Sequence, residues 1–229
     1  VYIVAEAWKP QTIILSMYES GVSFFNFPFA QNSGNIIKSV RSGQGKHLAK
    51  LVESYNNAIK QANPNGFDSV FLSNHDNGRS AGYLGGNLGQ QKLAASTYLL
   101  MPGNVFVYYG EEIGMKGSGR DENKRLPMPW GEDKGHTLQP SGADYTGTND
   151  MSVKELMKDK DSLWHHYKKV IQVRNQYPQI ARSHPRALDL GSTSLFALDY
   201  DGLIVVHNFS SDVQEFKGDF EIVNKSLGG

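Results

Sequence analysis

Three apolar runs in this chain each lead into a carboxylate. Glu6 follows Tyr2-Ile3-Val4-Ala5. Asp76 lies just past Ser69-Val70-Phe71-Leu72-Ser73. Glu111 and Glu112 follow Asn104-Val105-Phe106-Val107-Tyr108-Tyr109 by way of Gly110. Asn74, His75 and Arg79 surround Asp76, and Trp8 stands two residues after Glu6. In a parallel α/β barrel the C-terminal strand ends converge on one mouth, where active sites are built. Glu6 and Asp76 would then face each other across a pocket although 70 positions separate them. Two carboxylates, a histidine and an arginine around such a pocket suit glycoside hydrolysis. That reaction needs one protonated carboxyl at the leaving oxygen and negative charge beside an oxocarbenium-like centre. Trp8 and Tyr83 offer flat faces for a sugar ring, although both equally suit packing. The plainer reading of any single carboxylate here is a helix cap or a loop ion pair, and for Glu111 and Glu112 that reading fits better than chemistry.

The elements that must position these groups follow from the pattern of apolar residues. Tyr2–Ala5, Val22–Phe27, Ser69–Ser73 and Asn104–Tyr109 read as strands. Helical periodicity lies between them, most clearly in Leu48, Leu51, Val52, Tyr55 and Ile59, which Asn63-Pro64-Asn65-Gly66 should stop. Such alternation is the signature of βα units and a parallel sheet, and the apolar flanks predict helices over each face. A glycine-rich loop is expected over 82–89, followed by a helix that ends near Met101-Pro102-Gly103. The polar stretch 110–151 is long enough to read as a functional loop. Ser152 and Glu155 form a potential capping box. Leu163, Trp164, Tyr167, Val170, Ile171 and Arg174 mark a further helix, which Pro178 ends. Beyond Pro185 the runs turn β-like, with Asp201-Gly202 as a hairpin signal.

Composition narrows the partners. The chain has 229 residues, 39% of them hydrophobic and 11% aromatic, enough for a sizeable core. Its 23 basic and 23 acidic residues balance, so nothing electrostatic favours nucleic acid or an anionic membrane. No apolar run reaches bilayer length. No cysteine is present, which excludes disulfides and thiolate metal sites. His165 and His166, adjacent on a helix, point in different directions and do not suit a metal. Asp144, Asn149 and Asp150 carry oxygens that calcium favours, at a spacing that matches no defined loop. The opening Val1-Tyr2-Ile3-Val4 is already strand-like, which predicts a cut inside a larger protein.

Four segments sharpen this reading. Val4-Ala5-Glu6-Ala7-Trp8, Phe71-Leu72-Ser73-Asn74-His75-Asp76, Tyr108-Tyr109-Gly110-Glu111-Glu112-Ile113-Gly114-Met115, and Asp121-Glu122-Asn123-Lys124-Arg125 with Pro127-Met128 and Trp130 occur in that order. They resemble the fifth-strand motif, the seventh-strand motif, the eighth-strand segment and the following loop of the α-amylase family, glycoside hydrolase family 13. The resemblance covers nearly the whole chain. It implies an α/β fold: the C-terminal half, strands five to eight, of a (β/α)8 TIM barrel over 1–184, followed by a partial β-rich C-terminal domain over 185–229. Glu6 would be the general acid/base and Asp76 an auxiliary carboxylate that stabilises the transition state. His75, Arg79, Trp8 and Asn74 would bind substrate, and Arg125 and Trp130 would line outer subsites.

One departure matters. The family's nucleophile is an aspartate two residues after an arginine, and no Arg-x-Asp occurs in these residues. The resemblance therefore implies a piece that is inactive alone, drawn from a retaining enzyme acting on α-1,4-glucosidic bonds in starch-like glucans or maltooligosaccharides. No cofactor is expected in these residues, with calcium a property of the complete protein, and an extracellular or cell-surface location is favoured. Exposed barrel edges predict self-association. Rival readings are an oligosaccharide α-glucosidase or transglycosylase, a non-catalytic carbohydrate-binding protein on the same scaffold, and an assembly partner that folds only with another chain.

Overall fold

A computed structural model describes residues 1–131, 137–144, 151–218 and 221–223. Strands β1 (Val4–Ala5), β2 (Ser23–Phe25), β3 (Asp68–Val70) and β4 (Asn104–Val105) form one sheet in that order, with every pair parallel. All four strand positions were legible as apolar runs, although the paired segments are shorter than the runs. Between them run α1 (Gln11–Met17), α2 (Asn35–Ser42), α3 (Gly45–Ala62), α4 (Ser80–Tyr83) and α5 (Leu88–Leu99).

Side-chain alternation along the strands divides the apolar residues between two faces. Ala5, Phe24, Val70 and Val105 join the main core with residues of α2, α3 and α5. Phe25, Phe27, Phe71 and Phe106 form a separate cluster on the other side. The helices thus cover one face only, which corrects the expectation of helices on both. The second face is apolar because aromatic rings pack edge-on across it, Phe25 against Phe71 at 5.6 Å and against Phe106 at 4.8 Å. Tyr2 reaches across the same sheet, its hydroxyl 2.6 Å from Ser69 Oγ.

Helix α3 buries Leu48, Val52, Tyr55 and Ile59 along one stripe and stops at Asn63, whose extended backbone (φ −150°) precedes Pro64. The segment expected as a glycine loop, 82–89, begins inside the short α4 and runs into the start of α5. Gly85 and Gly86 then take positive φ, and α5 starts at Leu88 with the Asn87 side chain accepting from Gln90 N–H. At the far end of α5, Arg174 donates to the carbonyls of Leu99 (2.8 Å), Met101 (2.7 Å) and Gly103 (2.5 Å), which would otherwise lack partners. Arg174 belongs to α7 (Leu163–Gln176), which follows α6 (Val153–Leu156) and precedes α8 (Gln179–Arg182). The Ser152–Glu155 capping box forms with both reciprocal bonds.

A second sheet, β5 (Arg186–Ala187), β6 (Leu195–Tyr200) and β7 (Leu203–Asn208), is antiparallel throughout. Asp201 and Gly202 both have positive φ, 54° and 92°, as a two-residue hairpin of the mirror-image turn type requires. This sheet packs on α3 and shares its core: Phe196, Leu198, Tyr200, Val205 and Phe209 belong to the main cluster. Tyr200 donates to the Leu100 carbonyl at 2.6 Å. Gly45 permits the approach, because a Cβ there would lie 2.5 Å from the Ser194 carbonyl oxygen. Among the described residues no helix is long and apolar enough to cross a membrane.

Candidate active site

Because β1, β2 and β3 are parallel, the chain leaves all three at the same edge of the sheet. Glu6 is the first residue beyond β1, and the Asn74–Arg79 turn begins four residues beyond β3. Ala5 faces the helices, so alternation directs the next residue, Glu6, to the phenylalanine side of the sheet. Glu6 is exposed. Trp8 is exposed too and rests edge-on against Phe27 at 5.1 Å, while Phe27 rests on Phe71 at the same spacing. A row of aromatic rings therefore runs from the end of β1 towards the end of β3.

The Asp76 turn is built by Asn74. Its amide oxygen accepts from Asp76 N–H (3.0 Å), Asn77 N–H (2.8 Å) and the Asn77 side chain (2.9 Å). Such short-range bonds are what an asparagine supplies at a tight turn. Asn74 was expected to bind substrate. Its oxygen is occupied in shaping the loop, and only its amide nitrogen is left for a ligand.

The carboxylate of Asp76 is about a third exposed and has two close neighbours: Arg125 Nη2 lies 3.3 Å from Oδ1 and His75 Nε2 lies 3.4 Å from Oδ2. Lys124, itself buried, donates from Nζ to the Asp76 main-chain carbonyl (2.7 Å) and to Asp121 Oδ1 (2.8 Å). The loop after β4 is thus fastened to the turn after β3. Backbone contact extends the seam: Arg79 N–H donates to Gly117 O at 2.9 Å, and a Cβ at Gly117 would lie 2.1 Å from Asn123 O. The link from Lys124 to Asp76 spans 48 positions and left no short-range signal in the sequence.

Arg79 needs correction as a substrate contact. Its side chain is 1% exposed, set at 4.6 Å from both the Tyr108 and Tyr109 rings, and Nη1 donates to Tyr109 O at 2.5 Å. The guanidinium lies between two aromatic faces, which offsets part of the cost of burying Nε and Nη2 without a hydrogen-bond partner among the described residues, and it does not reach a sugar from there. Burial raises the Tyr108 hydroxyl to about 12, against the opposing pull of Arg79.

Glu111 is buried as well. Its Oε1 accepts from Ser73 N–H (3.0 Å) and from the Ser73 hydroxyl, and Oε2 accepts from Tyr98 OH at 3.1 Å. Burial lifts its carboxyl to about 7, although these donors and Arg79 pull the other way. It braces the turn rather than facing solvent. Asp144 is held by Asn123 Nδ2 (2.8 Å) and Arg120 Nε (3.4 Å), and Asn149 and Asp150 lie outside the described residues. A concavity of about 410 Å³ lined by Val107, Tyr109, Glu112, Trp164, Tyr167, Lys168 and Ile171 contains none of the predicted site residues.

Comparison with known proteins identifies the family. A family model described as alpha amylase, catalytic domain, matches residues 1–183. Alpha-amylase 3 of Dictyoglomus thermophilum is 31% identical over 234 aligned residues, covering 99% of this chain and 46% of that protein. An oligo-1,6-glucosidase of Halalkalibacterium halodurans is 27% identical, covering 69% of this chain and 36% of its own length. The solved structure of Eubacterium rectale Amy13B superposes with a TM-score of 0.86 at 36% identity, over 92% of this chain and 44% of that one. The chain thus spans less than half the length of the relatives it matches. With a parallel sheet, helices over one face and the family's motifs at the strand ends, the chain belongs to the alpha-amylase catalytic-domain family.

Proposed function

We propose that the complete protein carrying this chain is a retaining glycoside hydrolase that cleaves α-1,4-glucosidic bonds in starch-like glucans. In this reading β1 to β4 are strands five to eight of a (β/α)8 barrel over 1–184, and 185–229 opens a β-rich C-terminal domain. The observation that carries the reading is the common direction of β1 and β3, which brings Glu6 and the Asp76 turn to one rim with Trp8 and Phe27 between them.

Glu6 protonates the departing glycosidic oxygen and then takes a proton from the water that completes the reaction. Asp76, steadied by Arg125 and His75, holds negative charge where positive charge develops on the sugar. Trp8 stacks on a ring of the glucan. The 229 residues contain no Arg-x-Asp, so by themselves they have no nucleophile of the family's kind and should not turn over. Calcium, where the complete protein holds it, draws its ligands from other residues.

A second reading, an oligosaccharide α-glucosidase or transglycosylase, is favoured by the similarity to a protein named oligo-1,6-glucosidase and by the Pro127-Met128 segment. Rates of the complete protein on long amylose, maltose and isomaltose separate the two. Faster cleavage of amylose supports the first. Preference for the short substrates replaces it with the second, and no cleavage of any of them overturns both.

A further inference from the structure

We propose that Lys124 is a positioning residue for the reaction, acting through the main chain of Asp76; the inference rests on Asp76 being the auxiliary carboxylate. Three observations carry it. The Lys124 amine is buried, and it is spent on two acceptors: the carbonyl oxygen of Asp76 and the carboxylate of Asp121. Its own backbone is anchored to the end of β4, because Tyr108 OH donates to Lys124 O at 3.0 Å and Tyr109 OH donates to Leu126 O at 2.8 Å. Within the turn the backbone is held by Asn74; from outside, Arg125 meets the Asp76 carboxylate and Arg79 N–H meets Gly117 O, which leaves Lys124 as the side chain that fixes the Asp76 peptide carbonyl.

Lys124 therefore transmits the position of β4 to a residue carried by β3. Its donor reaches the peptide of Asp76 and not its carboxylate, so it fixes where the carboxylate starts without competing for it. A carboxylate that acts mainly in the transition state is sensitive to such placement, since a displacement of about 1 Å can lower a rate on the order of a hundredfold. Loss of Lys124 should accordingly lower kcat more than it raises KM. Asp121 orients the amine from the exposed side, so its loss should give a smaller effect of the same kind.

The test is a double-mutant cycle in the complete protein on an activated aryl maltooligoside. Lys124→Met should lower kcat about ten- to a hundredfold with KM little changed. Asp121→Asn, at an exposed position that leaves the fold intact, should lower kcat by a smaller factor. In an Asp76→Asn background both substitutions should have almost no further effect, because the group they position is already lost. Full additivity of Lys124→Met with Asp76→Asn would overturn the inference and assign Lys124 a general structural role. An Asp76→Asn protein with undiminished kcat would instead sink the assignment of Asp76 itself, and this inference with it.

Discussion

Glu111 accepts both the backbone N–H and the hydroxyl of Ser73, so the turn after β4 is fastened to the residue that immediately precedes Asn74. The bond crosses from one strand end to its neighbour inside the protein, where water cannot replace it. Together with Lys124 it makes the Asp76 turn a property of two strands rather than one.

That burial has a consequence for pH. Glu111 is raised to about 7 in the folded chain, from 4.5, with burial as the leading cause. A carboxyl with a raised folded value favours the native state below its unfolded value, and the advantage fades as pH climbs through the folded one. Asp68, buried and also near 7, acts in the same direction. His166 and His207, both lowered to about 4 by burial, act oppositely: their share is present above 6.5 and fades as pH falls towards 4. Glu111→Gln should therefore change the slope of stability between pH 4.5 and 7, making the variant less sensitive to rising pH, by an amount on the order of 2–3 kcal/mol across the window. Urea denaturation of both proteins across that window measures it; parallel curves would contradict the assignment.

Arg174 carries a different part of the fold. Three carbonyls at the end of α5 depend on one guanidinium, and removing it strands buried acceptors. Arg174→Ala should destabilise the chain by about 2–4 kcal/mol in urea denaturation. Arg174→Lys should recover only part of this, because a single ammonium cannot fork to three acceptors as the planar group does.

The edges of the parallel sheet lead to a third expectation. Val1, Tyr2 and Ile3 beside β1, and Val107, Tyr109 and Ile171 near β4, are exposed. Apolar groups beside short unpaired strands favour association. Size-exclusion chromatography with light scattering on these 229 residues should show mass rising with concentration. A monomer that persists at high concentration would argue against it.

Much of this scaffold was legible from local chemistry. Asp201-Gly202 announced its turn because both residues tolerate positive φ, and Ser152 with Glu155 announced a helix start because each satisfies the other's backbone. Helices α1 and α2 gave no such signal: α1 opens at Pro10 and α2 at Gly34, neither with a side-chain cap, and Ile13 and Met17 of α1 stay exposed. The strand-end residues were readable by type, but their contacts were not. Arg79 looked like a solvent-facing binder because arginine usually is one, and only packing between Tyr108 and Tyr109 shows otherwise. Lys124 and Arg125 reach Asp76 across 48 and 49 positions, a distance at which residue spacing carries no information.

The central claim is that Glu6 supplies the proton to the leaving oxygen, and it is tested most directly by varying the leaving group. In the complete protein, Glu6→Gln should lower kcat/KM for a maltooligosaccharide on the order of 10²–10⁴-fold. For a glycosyl fluoride, whose leaving group needs no proton, the first step should be nearly unaffected. An equal loss on both substrates, or no loss on the oligosaccharide, would contradict the assignment.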